Sequence, residues 1–189
     1  ALPGNLILKY FPTRTATVNS LEAHIEKTIL AGYKPDMIIV DYADLLRDIS
    51  ASKEHRHALG NIYEDLRGLA GTYEIPVWTA SQANRSSLEE DVIDASKVAE
   101  AYSKVMTADF VMSLSRKVND KISGTGRWHI IKNRFGPDGM TLPCKMDTSN
   151  GQIFIYDESS SNGQEQQGKM NQGSEFVRKE LAKKFSSMG

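Results

Sequence analysis

At 189 residues the chain has room for one ordinary domain and a short appendage. Hydrophobic residues make up 40% and charged residues 25%, enough apolar material for a core, which excludes a wholly disordered chain. Lys plus Arg number 23 against 24 Asp plus Glu, and the net charge of −1 excludes a uniformly basic nucleic-acid coat while permitting a local basic strip.

The opening Ala1-Leu2-Pro3-Gly4 has no initiator Met, basic n-region or apolar h-region, and reads as an internal starting point, so the expectation is a fragment. Leu6-Ile7-Leu8-Lys9-Tyr10-Phe11 is apolar and β-prone and is closed by Pro12, which predicts a strand. Asn19, with Glu22 three residues on, predicts a helix cap. Leu21, Ile25 and Ile29 follow at helical spacing until Gly32 and Pro35. Met37-Ile38-Ile39-Val40 is too short for a helix and reads as a buried strand. A long amphipathic helix carries Leu59, Ile62, Tyr63, Leu66, Leu69, Ala70 and Tyr73 on one stripe, and Pro76-Val77-Trp78-Thr79-Ala80 is a second buried strand.

Ser81 to Val98 is polar and acidic, a long loop leading into a short helix. Phe110-Val111-Met112-Ser113-Leu114 predicts a further strand. Trp128-His129-Ile130-Ile131-Lys132 and Thr141-Leu142-Pro143-Cys144-Lys145-Met146 predict a hairpin, followed by strand Ile153-Phe154-Ile155-Tyr156. Strand–helix alternation argues a parallel α/β sheet, with the late hairpin adding antiparallel strands at one edge. Residues 1–158 would form this core. The Ser, Gln, Gly and Asn of Ser159 to Ser174 predict a flexible linker, and Phe176, Val177, Leu181 and Phe185 a short amphipathic terminal helix, together 159–189.

Three strings could carry chemistry. In Met37-Ile38-Ile39-Val40-Asp41 a buried strand delivers a carboxylate to the carboxyl end of the sheet, where ligands bind in α/β folds. Such a carboxylate suits a water-coordinated magnesium ion, and equally suits a simple cap or turn acid. In Thr79-Ala80-Ser81-Gln82-Ala83-Asn84-Arg85 the amide of Gln82 offers both donor and acceptor, fit to orient a water or sense a phosphate, or merely to start a polar loop. In Ile131-Lys132-Asn133-Arg134-Phe135-Gly136-Pro137-Asp138-Gly139, Lys132 and Arg134 lie two apart on a strand and so share a face beside a tight turn. Two cations held that way suit a terminal phosphate, or form the solvated face of an edge hairpin.

In order, wording and separation these strings resemble the RecA-type motor domain of DnaB-family hexameric replicative helicases, the phage-type members especially. "IIVDYADLL" is similar to the family's Walker B segment, "PVWTASQANR" to its Gln motif, "TADFVMSLSRK" to its next core strand and "IIKNRFGPDG" to its K-N-R-x-G motif. The resemblance spans about Leu6 to Tyr156 and implies a RecA-like fold with ATP and Mg²⁺ as cofactors. It implies Asp41 as the magnesium-side acid and Gln82 as the link between the terminal phosphate and the DNA-binding loops. Lys132 and Arg134 would reach the nucleotide of a neighbouring subunit. Arg47, Arg85, Lys97 and Lys104 would be loop contacts to single-stranded DNA. The implied assembly is a homo-oligomeric, hexameric ring with a primase or helicase loader as further partner, in the cytoplasm of a bacterial cell or phage-infected host. Two rival readings are a non-helicase RecA-fold ATPase, such as a recombinase or regulator, and an inactive oligomerisation or DNA-binding module.

The family's phosphate-binding loop, G-x-x-x-x-G-K-[ST], does not occur in the sequence. Gly163-Gln164-Glu165-Gln166-Gln167-Gly168-Lys169 mimics it, but Met170 replaces the hydroxyl residue and the string follows the Walker B-like segment, so it reads as a chance match. His24, His55, His57 and His129 show no metal spacing and read as surface or structural. The lone Cys144 excludes a disulfide framework and a multi-cysteine zinc site and suits a reducing compartment. No apolar run approaches the roughly 18 residues of a membrane span. Gly124-Thr125-Gly126 reads as a flexible connection. Arg116, Lys117, Lys121, Arg127, Lys132, Arg134 and Lys145, against only Asp120 and Asp138, make a basic strip fit for a phosphate site or a nucleic-acid groove, or a solvated basic face.

Overall fold

The computed structural model describes residues 3–50, 55–82 and 102–171, with side chains from 57 and from 104 onward in the latter two stretches. The chain divides into two units, Ala1–Ser81 and Gln82–Gly189, each described by itself.

In the first unit α1 spans Val18–Leu30. Its cap is Thr17, two residues before the predicted Asn19: the Thr17 side chain accepts from the Ser20 backbone while Ser20 Oγ accepts from the Thr17 backbone. Two hydroxyls thus reciprocate where a Glu was expected. Gly32, at φ 90°, ends the helix as read from the sequence. Its N–H donates to Ile29 O and that of Tyr33 to Thr28 O, the paired bonds of a Schellman stop. The strand predicted at Leu6–Phe11 does not form; its residues are extended without ladder bonds, and Leu6 and Leu8 are 91% and 88% exposed. A β-prone string becomes a strand only beside a partner, and no described strand pairs with it.

Strand β1, Ile38–Val40, runs parallel to β2, Val77–Thr79, with Ile38 opposite Val77 and Val40 opposite Thr79. The crossover between them contains α2, His55–Tyr73, whose stripe is buried as predicted at Leu59, Ile62, Tyr63, Leu66 and Leu69. These side chains close on Val18 and Ile25 of α1, with Ile38, Val40 and Val77 packed against them. At about 1.5–3 kcal/mol for each large apolar side chain withdrawn from water, this cluster is the main source of the unit's cohesion. The sheet's opposite face carries Ile39 and Trp78, 72% and 40% exposed.

In the second unit α3, Tyr102–Thr107, precedes an antiparallel meander of β3 (Phe110–Ser115), β4 (Thr125–Asn133), β5 (Thr141–Asp147) and β6 (Gln152–Ile155). The predicted strand at 110–114 therefore pairs with β4, Ser115 facing Arg127, and does not extend the parallel pair among the described residues. Between β3 and β4 lies α4, Val118–Ser123, closed by Gly124 at φ 68°. A Cβ on Gly126 would come within 2.5 Å of Met146 Sδ and 3.2 Å of Ser115 O, so only glycine fits this point of β4.

The predicted linker also differs in part: residues 161–171 are helical, here α5. Ser160 Oγ accepts from Gly163 N at 3.0 Å as its cap, and Gln166 and Met170, four residues apart, are 6% and 3% exposed. Burial of that face overrides a composition that reads as tether. The predicted terminal helix from Phe176 lies outside the described residues.

Candidate functional site

Because β1 ends at Val40, Asp41 stands at the carboxyl edge of the parallel pair. Its side chain is exposed, and among the described residues no hydrogen bond or ion pair engages it. The Asp41–Tyr42 peptide is cis. The turn is held from the neighbouring strand: Thr79 Oγ1 donates to Val40 O at 2.9 Å and accepts from Ala43 N at 2.9 Å. Farther along, Asp44 accepts from Tyr63 Oη at 2.9 Å and from Ser81 Oγ at 3.1 Å. Burial, with Asp44's negative charge behind it, pushes the Tyr63 phenol far above its ordinary pKa, so it remains a donor. The strand-end turn is therefore tied to the core of α2 and to the residue directly before Gln82, which is itself exposed.

The described residues gather no cluster of three metal-ligating side chains. A magnesium ion would rest on Asp41, water and the oxygens of a nucleotide, and a single exposed carboxylate on a fixed turn fits an ion that keeps most of its water.

Lys132 and Arg134 share a face, as their spacing predicts, and both meet the C-terminal end of α3. Lys132 Nζ donates to Val105 O at 2.8 Å and to Met106 O at 2.9 Å. Arg134 Nη2 donates to Met106 O at 3.3 Å, while Nη1 forms a 2.9 Å ion pair with Asp109. A helix's last carbonyls carry no internal partner and a partial negative charge, so they draw cations. The Arg134–Asp109 pair is 44% and 42% exposed, hence worth under about 1 kcal/mol, and a better anion would displace it. The next turn is shaped by Asn133, whose Oδ1 accepts from Phe135 N at 3.1 Å and whose Nδ2 donates to Pro137 O at 3.2 Å. Gly139 closes it at φ 75°.

Of the proposed DNA contacts, Arg47 is exposed just past the single turn Ala43–Leu45. Arg85 and Lys97 lie outside the described residues. Lys104, expected at a loop, is inside α3 and 3% exposed. Arg127, counted in the basic strip, is taken up by Asp120 at 2.6 Å; Asp120 is 1% exposed and also accepts from Lys117 N and Thr125 Oγ1. His129 Nδ1 lies 2.8 Å from Thr141 Oγ1 across the β4–β5 ladder. The loop mimic at Gly163–Lys169 falls within α5, and a helix interior has no spare N–H groups to wrap a phosphate.

Sequence reasoning assigned no role to Thr79, Ser81, Asp44, Tyr63, Asn133 or Asp109. Asn133 before a Gly-Pro pair was a readable turn signal. The Tyr63 hydroxyl was hidden in an apolar stripe, and the Thr79 clamp depends on a pairing between distant segments.

A family model described as the DnaB-like helicase C-terminal domain matches residues 6–151. A curated relative, the DnaB-like replicative helicase of Enterobacteria phage T4, is 30% identical over 139 residues, 70% of this chain and 29% of the relative. The chain thus spans less than a third of that protein's length. Among solved structures, a helicase-type ATPase domain superposes with a TM-score of 0.66 at 20% identity, covering 75% of this chain and 52% of that one. A DnaB-like replicative helicase, from a structure that also describes its interactions with primase, superposes at 0.65 with 20% identity, covering 75% and 35%. The fold is that of RecA-like helicase ATPase domains.

Proposed function

The chain belongs to the DnaB-like helicase C-terminal domain family, and from that premise we propose that it forms part of an ATP-driven motor moving on single-stranded DNA during replication. The observation that carries this reading is Asp41: an unengaged carboxylate at the carboxyl edge of a parallel strand pair, on a turn clamped by Thr79.

In the reaction, water attacks the γ-phosphoryl group and ADP leaves. Asp41 holds magnesium through water, and the ion neutralises the phosphate oxygens. Gln82 orients the attacking water and reports the terminal phosphate to the DNA-binding loops. Lys132 and Arg134 leave the carbonyls of α3 for the γ-phosphate bound by a neighbouring subunit, and stabilise its charge. Such a trans site needs a closed ring, which we take as hexameric, with Arg47, Arg85, Lys97 and Lys104 assigned to the strand in its channel. A primase or helicase loader is its proposed partner, and the setting is the cytoplasm of a bacterial or phage-infected cell.

The sequence contains no G-x-x-x-x-G-K-[ST] loop, so turnover is tested in a polypeptide joining these residues to one. There Asp41→Asn, which neutralises the carboxylate at constant volume, lowers ATP hydrolysis by about 10²-fold or more, the scale of losing one preorganised electrostatic partner. Unchanged hydrolysis removes Asp41 from the site.

A further inference from the structure

At the end of β4 remote from Lys132, the second unit contains a cleft of about 320 Å³ into which four elements or their ends bring cations: Arg116 after β3, Lys121 on α4, Lys145 on β5 and Lys169 on α5. Thr125, paired with Lys145, is seven residues from Lys132 along β4, roughly 23 Å at strand rise. The cleft is thus separate from the proposed nucleotide contacts.

Its charge is only partly compensated. Asp147, the acid of the lining, accepts from the N and Oγ of Ser149, and Lys169 is paired at 2.6 Å with Glu165. Arg116 Nε is buried and makes no hydrogen bond among the described residues. A buried donor without an acceptor awaits one. Hydroxyls of Ser123 and Thr148 add further donors at the wall.

We infer that this cleft binds the sugar–phosphate backbone of a single nucleic-acid strand. Cations and hydroxyls match phosphate oxygens. No aromatic side chain lines the cleft, so a base has nothing to stack on and recognition is independent of sequence. The volume is that of a small-molecule site, too little for a duplex. The basic strip in the sequence thereby divides in three: Arg127 serves Asp120, Lys132 and Arg134 meet α3, and Arg116, Lys121 and Lys145 meet the strand.

The test uses the 189-residue chain without ATP and a fluorescein-labelled thymidylate oligomer of about 15 nucleotides, a length on the scale of single-strand sites, followed by anisotropy between about 50 and 200 mM salt. Lys121→Ala with Lys145→Ala should weaken binding and reduce the slope of log affinity against log salt by about 1.4, two single-strand contacts at about 0.7 each. Lys169→Ala, at a half-exposed helix position, should reduce it in the same direction, and urea midpoints should match the parent's. Arg85→Ala with Lys97→Ala separates the cleft from the proposed channel loops: the cleft's share of the slope survives in that variant. An unchanged slope in folded cleft variants overturns the inference, as does failure of the parent chain to bind the oligonucleotide at the lowest salt. Saturation by inorganic phosphate alone, with no competition from the oligonucleotide, also overturns it and assigns the cleft to a free anion. None of these results bears on Asp41 or Arg134.

Discussion

Cys144 lies on β5 with no exposed surface, beside the narrow passage that Gly126 leaves open. Burial pushes its thiol up to about 11; Asp120's charge adds to the rise, and Arg116 and Arg127 oppose it. A thiol that holds its proton more tightly when folded contributes stability that is intact below the ordinary value of 9.0 and fades as pH climbs from there through about 11. Urea unfolding should therefore show the parent losing stability from about pH 9 upward more steeply than Cys144→Ala. Parallel pH profiles would mean that the thiol is solvated like an unfolded one. The sequence showed a lone cysteine and excluded a disulfide. Its environment was not legible, because that environment is assembled from β3, β4 and the Asp120 network.

At the level of elements, the clearest test is the clamp between β2 and the turn after β1. Thr79→Val keeps the branched shape and strand preference but strips the hydroxyl, leaving the N–H of Ala43, a residue with no exposed surface, without its partner. The expected loss is about 1–3 kcal/mol by urea unfolding, the cost of an orphaned buried donor. Thr79→Ser should restore most of it; if Ser is no better than Val, the hydroxyl is not what holds the turn. The strands at 37–40, 76–80, 110–114 and 153–156 were legible because short apolar runs between turn residues have few other solutions. The α2 stripe was legible for the same kind of reason. Leu6–Phe11, the partner of β3 and helix 161–171 were not, since each depends on what lies beside it. Pattern reports what a segment can bury, whereas pairing and tertiary cover decide whether it does. The site divides likewise: Asp41, Gln82, Lys132 and Arg134 stand in short readable strings, while the residues that hold them come from other elements.

At the scale of the whole molecule, the proposed motor makes each nucleotide site from two subunits, and this is testable without a structure of the ring. Lys132 and Arg134 rest on α3 within their own chain, and nothing in that arrangement brings them to a nucleotide held by the same subunit. In polypeptides that carry a phosphate-binding loop, Arg134→Ala should leave nucleotide binding by its own subunit nearly intact. It should depress hydrolysis by about 10³–10⁵, the range of arginine fingers in phosphoryl transfer. Asp41→Asn subunits should be inactive for the opposite reason, lacking the magnesium-side acid while still presenting a normal Arg134. Mixing the two inactive proteins then creates interfaces of four kinds, one of which joins an intact Asp41 to an intact Arg134. Steady-state ATPase should return to a fraction of the parent's rate, greatest near equal proportions and absent from either protein alone. Native mass spectrometry of the same mixtures establishes that the subunits have exchanged. Mixed rings with no recovered turnover would place both side chains in one site of one subunit, or leave Arg134 as a hairpin cation whose partner is simply Asp109.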